Sequence, residues 1–327
     1  MPPDKELLVV DDLKKYFPIR KGFLGKTVGY VCAADGVSFS IKPGETLGLV
    51  GESGCGKSTV GRCLIRLYEP TAGRITFEGM DVGALARPEL TALRTKMQMI
   101  FQDPYSSLNP RLRVREIIGE ALRVHRLVDL GEWKDRVREL LEAVGLQADH
   151  MARYPHEFSG GQRQRIGIAR ALAMRPKLII ADEPVSALDV SIQAQVINLL
   201  DSLKVRFRLS YLIIAHDLSV VEHVSDRIAV MYLGKLVELA SDRQLYLSPK
   251  HPYTEALLAA VPMASPGGRQ RRRERSLLKG DVPSPINPPP GCRFHTRCSR
   301  RMSTCMSQEP SPIEVEPGHY VSCFLFG

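Results

Sequence analysis

The stretch that decides the fold is Gly51-Glu52-Ser53-Gly54-Cys55-Gly56-Lys57-Ser58. It has the spacing G-x-x-x-x-G-K-[ST], it follows an apolar run that begins at Thr46, and it opens a helical pattern. Glycine lets the backbone wrap closely around a phosphate group, so that successive N–H groups and the helix N-terminus face the anion. Strand, loop and helix together predict the phosphate-binding loop of an α/β nucleoside triphosphatase.

The polar residues of this phosphate loop (residues 51–58) each have an expected role. The amine of Lys57 suits the β- and γ-phosphates, and the hydroxyl of Ser58 suits Mg²⁺. Cys55 is interpreted as a small filler and not as a catalytic thiol. The residues predicted to contact ATP are Gly51, Glu52, Ser53, Gly54, Cys55, Gly56, Lys57, Ser58 and Thr59.

Two adjacent carboxylates end a second apolar run, Leu178-Ile-Ile-Ala-Asp182-Glu183. An acid at the carboxyl end of a strand faces the ligand crevice of an open α/β sheet. We therefore expect Asp182 to hold Mg²⁺ through water and Glu183 to act as general base on an attacking water. On their own, two adjacent acids would more often form salt bridges on the surface. The phosphate loop in the same chain favours the catalytic interpretation instead.

The composition is that of a soluble globular protein. The chain has 327 residues, of which 44% are hydrophobic and 25% charged, and its mean hydropathy is −0.11. These values exclude a disordered chain, a collagen-like fibre and a small disulfide scaffold. No run approaches the ~18 apolar residues of a membrane span, and the first residues lack the apolar core of a secretion signal. The cytosol is the default expectation.

The chain divides into an α/β part and a different C-terminal part. Short branched apolar runs alternate with helical patterns from about residue 7 to 247, which predicts a mostly parallel sheet. Strand signals disappear between residues 104 and 156, where Trp133, Val137 and Leu141 fit an amphipathic helix that ends at Gly145. Proline, glycine and arginine dominate residues 262–290, which predicts an extended linker.

The segment Phe158-Ser-Gly-Gly-Gln-Arg-Gln-Arg165 can form a second phosphate-binding turn at a helix N-terminus. Here the chain resembles the ATP-binding cassette (ABC) family, whose signature is usually L-S-G-G-Q, with Phe158 in place of leucine. The resemblance implies that the signature of one cassette closes over ATP in the phosphate loop of a partner cassette. The signature residues it assigns to ATP are Ser159, Gly160, Gly161 and Gln162.

The other family motifs follow in order, and the resemblance implies a role for each. Gln102 matches the Q-loop glutamine that contacts Mg²⁺ and water, Asp189 matches the D-loop at the dimer seam, and His216 matches the switch histidine of the γ-phosphate. Phe17 is the first candidate for the aromatic that stacks on adenine, and Tyr16 is the second. The implied catalytic set is Lys57, Gln102, Glu183 and His216, with Ser58, Gln102 and Asp182 at Mg²⁺.

The resemblance also predicts the architecture. It implies a P-loop NTPase core with a mixed sheet flanked by helices in residues 1–260, including a helical subdomain at about 104–165. A small cysteine-containing extension is expected in residues 261–327.

Several segments, including His251-Pro-Tyr-Thr-Glu-Ala-Leu-Leu258, look like the oligopeptide/dipeptide importer branch, and Pro-Val-Ser-Ala-Leu-Asp189 resembles its F-type subunit. This implies a D-type cassette as partner, two membrane permease subunits and an extracytoplasmic peptide-binding protein, with the chain at the cytoplasmic face of the cell membrane. An importer of nickel or another small solute is an alternative within the branch.

The net charge of +9 raises a nucleic-acid-binding ABC ATPase as a further alternative. The run Arg269-Gln-Arg-Arg-Arg-Glu-Arg275 alone carries +4 of that charge, which fits a solvated linker. Nucleic-acid-acting relatives usually hold two cassettes or a long coiled coil, and neither occurs here. No nucleic-acid partner is therefore expected.

Four of the seven cysteines are Cys292, Cys298, Cys305 and Cys323, and they crowd the C-terminal end. Four such thiols could bind Zn²⁺ or an iron–sulfur cluster, and their spacing does not choose between these. Resemblance to peptide-importer ATPases favours a [4Fe–4S] cluster, with Zn²⁺ and free thiols as alternatives. The nearby His295 and His319 are expected to be solvated.

Overall fold

A computed structural model describes residues 6–22, 26–103, 107–129, 131–186, 188–260 and 280–327. Of the segments discussed above, residues 104–106, Ala187 and the arginine-rich run 269–275 lie outside the described residues. The chain forms two compact units. The phosphate-loop unit comprises Glu6–Ser40, Leu47–Gly83 and Ala215–Gly327, and the carboxylate unit includes Ile41–Thr46 and Ala84–Ile214.

The phosphate-loop unit contains two groups of strands. In the first group the order is β2-β1-β4-β5, and β1 pairs antiparallel with β4. The bounds are β1 Leu8–Lys21, β2 Lys26–Ile41, β4 Ala72–Phe77 and β5 Met80–Asp81.

The second group has the order β11-β12-β10-β9-β3, in which β3 and β9 are parallel and the remaining pairs are antiparallel. Its strands are β3 Thr46–Val50, β9 Arg227–Tyr232, β10 Lys235–Ser241, β11 Ile313–Glu316 and β12 His319–Val321. The described segment 280–327 therefore extends this group of strands through the hairpin β11–β12. This C-terminal segment shares the unit of the phosphate loop and packs on it.

In the described part of the phosphate-loop unit the α-helices are α1 Lys57–Leu64, α7 Leu218–Glu222, α8 Asp242–Leu247 and α9 Pro252–Ala260. Tyr253, on α9, is buried against Tyr232 and Phe294, with ring centroids 4.8 to 5.4 Å apart. Phe294 thus anchors the C-terminal segment in the core of this unit, because each aromatic side chain buries a large apolar area.

Among its described residues, the carboxylate unit has parallel strands in the order β8-β7-β6. Their bounds are β6 Met97–Ile100, β7 Leu178–Asp182 and β8 Ser210–Ala215. All residues of β7 and β8 are buried, as expected for parallel strands covered on both faces.

The described residues of the carboxylate unit include the α-helices α2 Arg87–Lys96, α3 Val114–Val124, α4 Trp133–Ala143, α5 Gly160–Leu172 and α6 Val190–Phe207. Helices α3, α4 and α5 pack on one another, and α4 buries Val137, Leu140 and Leu141, the face that its periodicity predicts. None of the described helices is long and apolar enough to cross a membrane.

Candidate nucleotide site

The phosphate loop connects β3 to α1 in a conformation that requires glycine. Gly56, at the N-cap of α1, has φ of 111°, and a Cβ there would lie 1.8 Å from the carbonyl oxygen of Ala33. A side chain at this position is excluded by both backbone conformation and space. The close approach of strand β2 therefore shapes the loop that precedes the helix N-terminus.

Lys57 lies within the loop that it is predicted to serve. Its side chain is buried, and its Nζ donates to the carbonyl oxygens of Gly51 at 2.6 Å and Glu52 at 3.0 Å. The ammonium is thus held over the loop where a phosphate group would bind. Cys55 Sγ lies 3.8 Å from Lys57 Nζ, and burial raises the pKa of this thiol. A protonated, buried thiol fits the interpretation of Cys55 as a filler.

The carboxylate unit brings Gln102 and Glu183 together after strands β6 and β7. Gln102 Nε2 donates to Glu183 Oε2 at 2.8 Å, while Asp182 is fully buried at the end of β7. Glu183 has φ of 45°, a left-handed conformation that is uncommon for a residue with a side chain. Its N–H donates to Ile214 O at 3.0 Å, which fixes this backbone against β8. The arrangement presents a carboxylate and an amide side by side.

The signature residues begin helix α5. Ser159 is the N-cap, its Oγ accepts from the N–H of Gln162, and Gln162 Oε1 accepts from the N–H of Ser159 at 3.0 Å. This capping box orders the turn. A Cβ on Gly161 would lie 2.5 Å from Ile192 Cγ2, so glycine permits close packing of α5 on α6. Phe158 fills a buried position against His150, which accounts for an aromatic residue in place of leucine.

The remaining motif residues lie at element boundaries. Asp189 is exposed and precedes α6, and its side chain makes no capping hydrogen bond. His216 is exposed and follows β8. Next to it, Asp217 caps α7 by accepting from the N–H of Ser219 at 2.9 Å.

The predicted site residues are divided between the two units. Lys57 and His216 belong to the phosphate-loop unit, whereas Gln102, Asp182, Glu183 and the signature belong to the carboxylate unit.

The two aromatic residues predicted to stack on adenine make different contacts. Phe17 meets Tyr68 edge-on, with centroids 5.3 Å apart, and Lys15 Nζ lies 4.9 Å over its ring. The Tyr16 hydroxyl donates to Asp35, and burial together with this carboxylate raises the pKa of Tyr16. The alternation of strand β1 directs the two rings to opposite faces.

Sequence reasoning did not find the contacts that helix α9 and the C-terminal segment make with the phosphate loop and strand β2. Arg297 donates to both carboxylate oxygens of Glu52, at 2.7 and 3.1 Å. The Tyr253 hydroxyl accepts from the N–H of Glu52 at 2.9 Å. Arg293 donates to Asp35, the carboxylate that also accepts from Tyr16.

The expectation that His319 is solvated is wrong. His319 is fully buried, and its Nε2 lies 2.7 Å from Oε1 of the equally buried Glu238. The same carboxylate accepts from the N–H groups of Lys250 at 2.7 Å and His251 at 2.9 Å. Strand β12 pairs with β10 and brings His319 to Glu238, which is the reason for its burial. His295 is half-buried.

The thiols of the four C-terminal cysteines influence one another electrostatically, but their positions are not those of metal ligands. Burial raises the pKa of Cys292 to about 11, and Cys298, Cys305 and Cys323 add to that shift. Within the described part of the chain, which includes all four thiols, no group of three or more His, Cys, Asp or Glu side chains is placed to hold a metal ion. The predicted cluster therefore does not follow from the positions of these thiols.

A glycine-shaped phosphate loop, an acidic strand end with a glutamine partner and a capped signature turn define a P-loop ATPase. A family model described as "ABC transporter" matches residues 34–186, and one described as "Oligopeptide/dipeptide transporter, C-terminal region" matches residues 237–305.

The comparison with curated proteins agrees. The chain is 57% identical to "Oligopeptide transport ATP-binding protein AppF" of Bacillus subtilis (strain 168), over 98% of this chain and 97% of that protein. It is 51% identical to "Putative peptide import ATP-binding protein BOV_A0347" of Brucella ovis, over 97% of each chain. The chain belongs to the ABC transporter ATP-binding family and carries its oligopeptide/dipeptide transporter C-terminal region.

Solved structures confirm the predicted fold class. A dimeric post-hydrolysis structure of the ATP-binding cassette MJ0796, bound to ADP and Pi, matches with a TM-score of 0.64 and 28% identity, over 72% of this chain and 99% of that one. The cbiO1 structure from Clostridium perfringens, part of the ABC transporter complex cbiONQ, matches with a TM-score of 0.64 and 26% identity, over 74% of this chain and 91% of that one.

Proposed function

We propose that this chain is the ATP-hydrolysing subunit that powers import of dipeptides and oligopeptides by a membrane ABC transporter. The observation that carries the proposal is the joining of an ATP-binding cassette to the oligopeptide/dipeptide transporter C-terminal region in one chain. Relatives named as peptide import or oligopeptide transport ATP-binding proteins, at 51 to 57% identity over nearly the whole chain, support it.

The site residues divide the work of ATP hydrolysis in this proposal. Lys57 and the N–H groups of the phosphate loop neutralise and hold the phosphates, and Phe17 or Tyr16 stacks on adenine. Glu183 accepts the proton of the attacking water, Gln102 orients that carboxylate through their hydrogen bond, and His216 contacts the γ-phosphate. Ser58, Gln102 and Asp182 would hold Mg²⁺, which when bound neutralises charge on the phosphoryl oxygens.

The partners follow from the same proposal. Ser159 to Gln162 and Asp189 would face ATP in the phosphate loop of a related D-type cassette, in a head-to-tail heterodimer. The dimer would bind two permease subunits at the cytoplasmic face of the cell membrane, and an extracytoplasmic binding protein would deliver the peptide. Exposure of Ser159 and Asp189 supports this arrangement, because both side chains are accessible to a partner.

Reconstitution of the complete complex tests the function. We expect ATPase activity in vesicles that contain the chain, its partner cassette and its permease subunits to rise when the loaded peptide-binding protein is added. Radiolabelled peptide should accumulate on the side of the membrane that faces the cassettes. Stimulation by nickel with its binding protein, or by nucleic acid, but not by peptide would contradict the proposal.

We also propose that Cys292, Cys298, Cys305 and Cys323 bind a [4Fe–4S] cluster once their side chains converge. Cys305, Cys323 and Cys298 each contribute to the raised pKa of Cys292, and this electrostatic influence supports a common ligand. Anaerobically purified protein is expected to contain about four iron atoms and four acid-labile sulfides per chain.

Matched cysteine variants make this measurement specific. Cys298→Ser should lose the iron, whereas Cys32→Ser, which removes a half-buried thiol outside the group, should retain it. Stoichiometric zinc in place of iron, or neither metal in the anaerobic protein, would contradict the cluster.

A further inference from the structure

The phosphate loop of this chain carries a negative side chain where it is predicted to bind an anion. Glu52 is the second residue of the loop, and its side chain is 24% exposed. An unpaired carboxylate beside a phosphate site weakens the binding of a polyanion such as ATP, because like charges repel across a partly desolvated site. The loop therefore requires a cation that neutralises Glu52.

The structure supplies that cation from the C-terminal segment. The guanidinium of Arg297 donates to both carboxylate oxygens of Glu52, and the Arg297 side chain is only 6% exposed. Such parallel N–H···O pairs combine charge with a fixed geometry. Arginine stays protonated in proteins, so the guanidinium remains charged. Its carbon also lies 5.9 Å from the centre of the Tyr232 ring, which helps to hold it in place.

The backbone of Glu52 is held by a residue that packs against the C-terminal segment. Its N–H donates to the hydroxyl of Tyr253, and Tyr253 packs against Phe294, three residues before Arg297. Tyr253 thus holds the main chain of Glu52 and Arg297 holds its side chain, and both partners contact one aromatic cluster of Tyr232, Tyr253 and Phe294.

We propose that Arg297 is a positioning residue for ATP binding: it neutralises Glu52 and holds it away from the phosphates, so that the C-terminal segment completes the nucleotide site of its own chain. The proposal rests on the assignment of the loop to ATP. It gives residues beyond the minimal cassette a direct effect on nucleotide affinity.

Measurement of ATP affinity on the full-length chain tests this role. Arg297→Ala is expected to weaken ATP binding about tenfold, equivalent to ~1.4 kcal/mol, because it leaves the Glu52 charge unpaired. Arg297→Lys, which keeps the charge, should recover most of the affinity. Adding Glu52→Gln to Arg297→Ala should restore affinity toward that of the wild type, since the double variant has no unpaired carboxylate.

Arg300 provides the matched control. It belongs to the same segment and pairs with Glu255 on α9 at 2.7 Å, and both side chains are more than 40% exposed. Arg300→Ala should bind ATP like the wild type, and thermal unfolding of each variant should be recorded alongside.

An Arg297→Ala chain that unfolds at lower temperature yet binds ATP with wild-type affinity would overturn the proposal, as would a double variant no better than Arg297→Ala. A wild-type chain that does not bind ATP would instead contradict the proposed function itself.

Discussion

The Glu183→Gln chain is expected to bind ATP with near wild-type affinity and to hydrolyse it ~10²–10⁴-fold more slowly in the assembled transporter. Glutamine has almost the same shape as glutamate and can still accept from Gln102 through its oxygen. It cannot take a proton from water, however, so the chemical step loses its base. Equilibrium ATP binding and single-turnover hydrolysis, measured on the same complex, separate the two effects.

A surface substitution of the same kind controls for the loss of one charge. Glu139 lies on α4 with 62% of its side chain exposed, and it pairs with Arg136 at 2.6 Å. Glu139→Gln should leave turnover unchanged, because exposed ion pairs contribute little to stability and this one is outside the site. Substantial hydrolysis by the Glu183→Gln complex would remove Glu183 from the role of general base.

Local patterns account for the parts of the site that the sequence predicts well. The phosphate loop, the acidic strand end and the signature turn are each formed by fewer than about ten consecutive residues, and their backbone conformation depends on glycines and a capping serine. Gly56 and Gly161 show this directly, because a Cβ at either position would meet neighbouring atoms at 1.8 and 2.5 Å. Local residue types also determine that Glu183 directly follows β7 and that Gln102 lies two residues after β6.

The contacts of the C-terminal segment could not be predicted in the same way. Arg297 and Glu52 are 245 positions apart, and neither belongs to a periodic pattern that indicates its partner. An arginine among polar and basic residues is more often solvated, and the packing of Phe294 brings this one to the loop. The prediction of a solvated His319 is wrong for the same reason, since β12 is only three residues long and its pairing with β10 is tertiary.

The buried hydrogen-bond group around Glu238 is expected to control the stability of the phosphate-loop unit. Glu238→Ala should lower the free energy of unfolding by about 3–5 kcal/mol. The change removes the acceptor for two backbone N–H groups and for the buried His319, and buried donors without partners are costly. His251 cannot compensate, because burial lowers its pKa to about 4 and its Nδ1 already accepts from the N–H of Tyr253.

Thermal and urea unfolding of the full-length chain measure this loss. Glu238→Gln should be less destabilised than Glu238→Ala, since the amide oxygen keeps part of the acceptor capacity. Glu314→Gln provides the control: Glu314 is exposed on the neighbouring strand β11, and the amide oxygen can still accept from the N–H of Gly318. Because Glu238 and His319 share one bond, the double variant Glu238→Ala/His319→Ala should cost less than the sum of the single changes. Additive losses would mean that the two side chains stabilise the hairpin independently, and the hydrogen bond between them would not hold the C-terminal segment on β10.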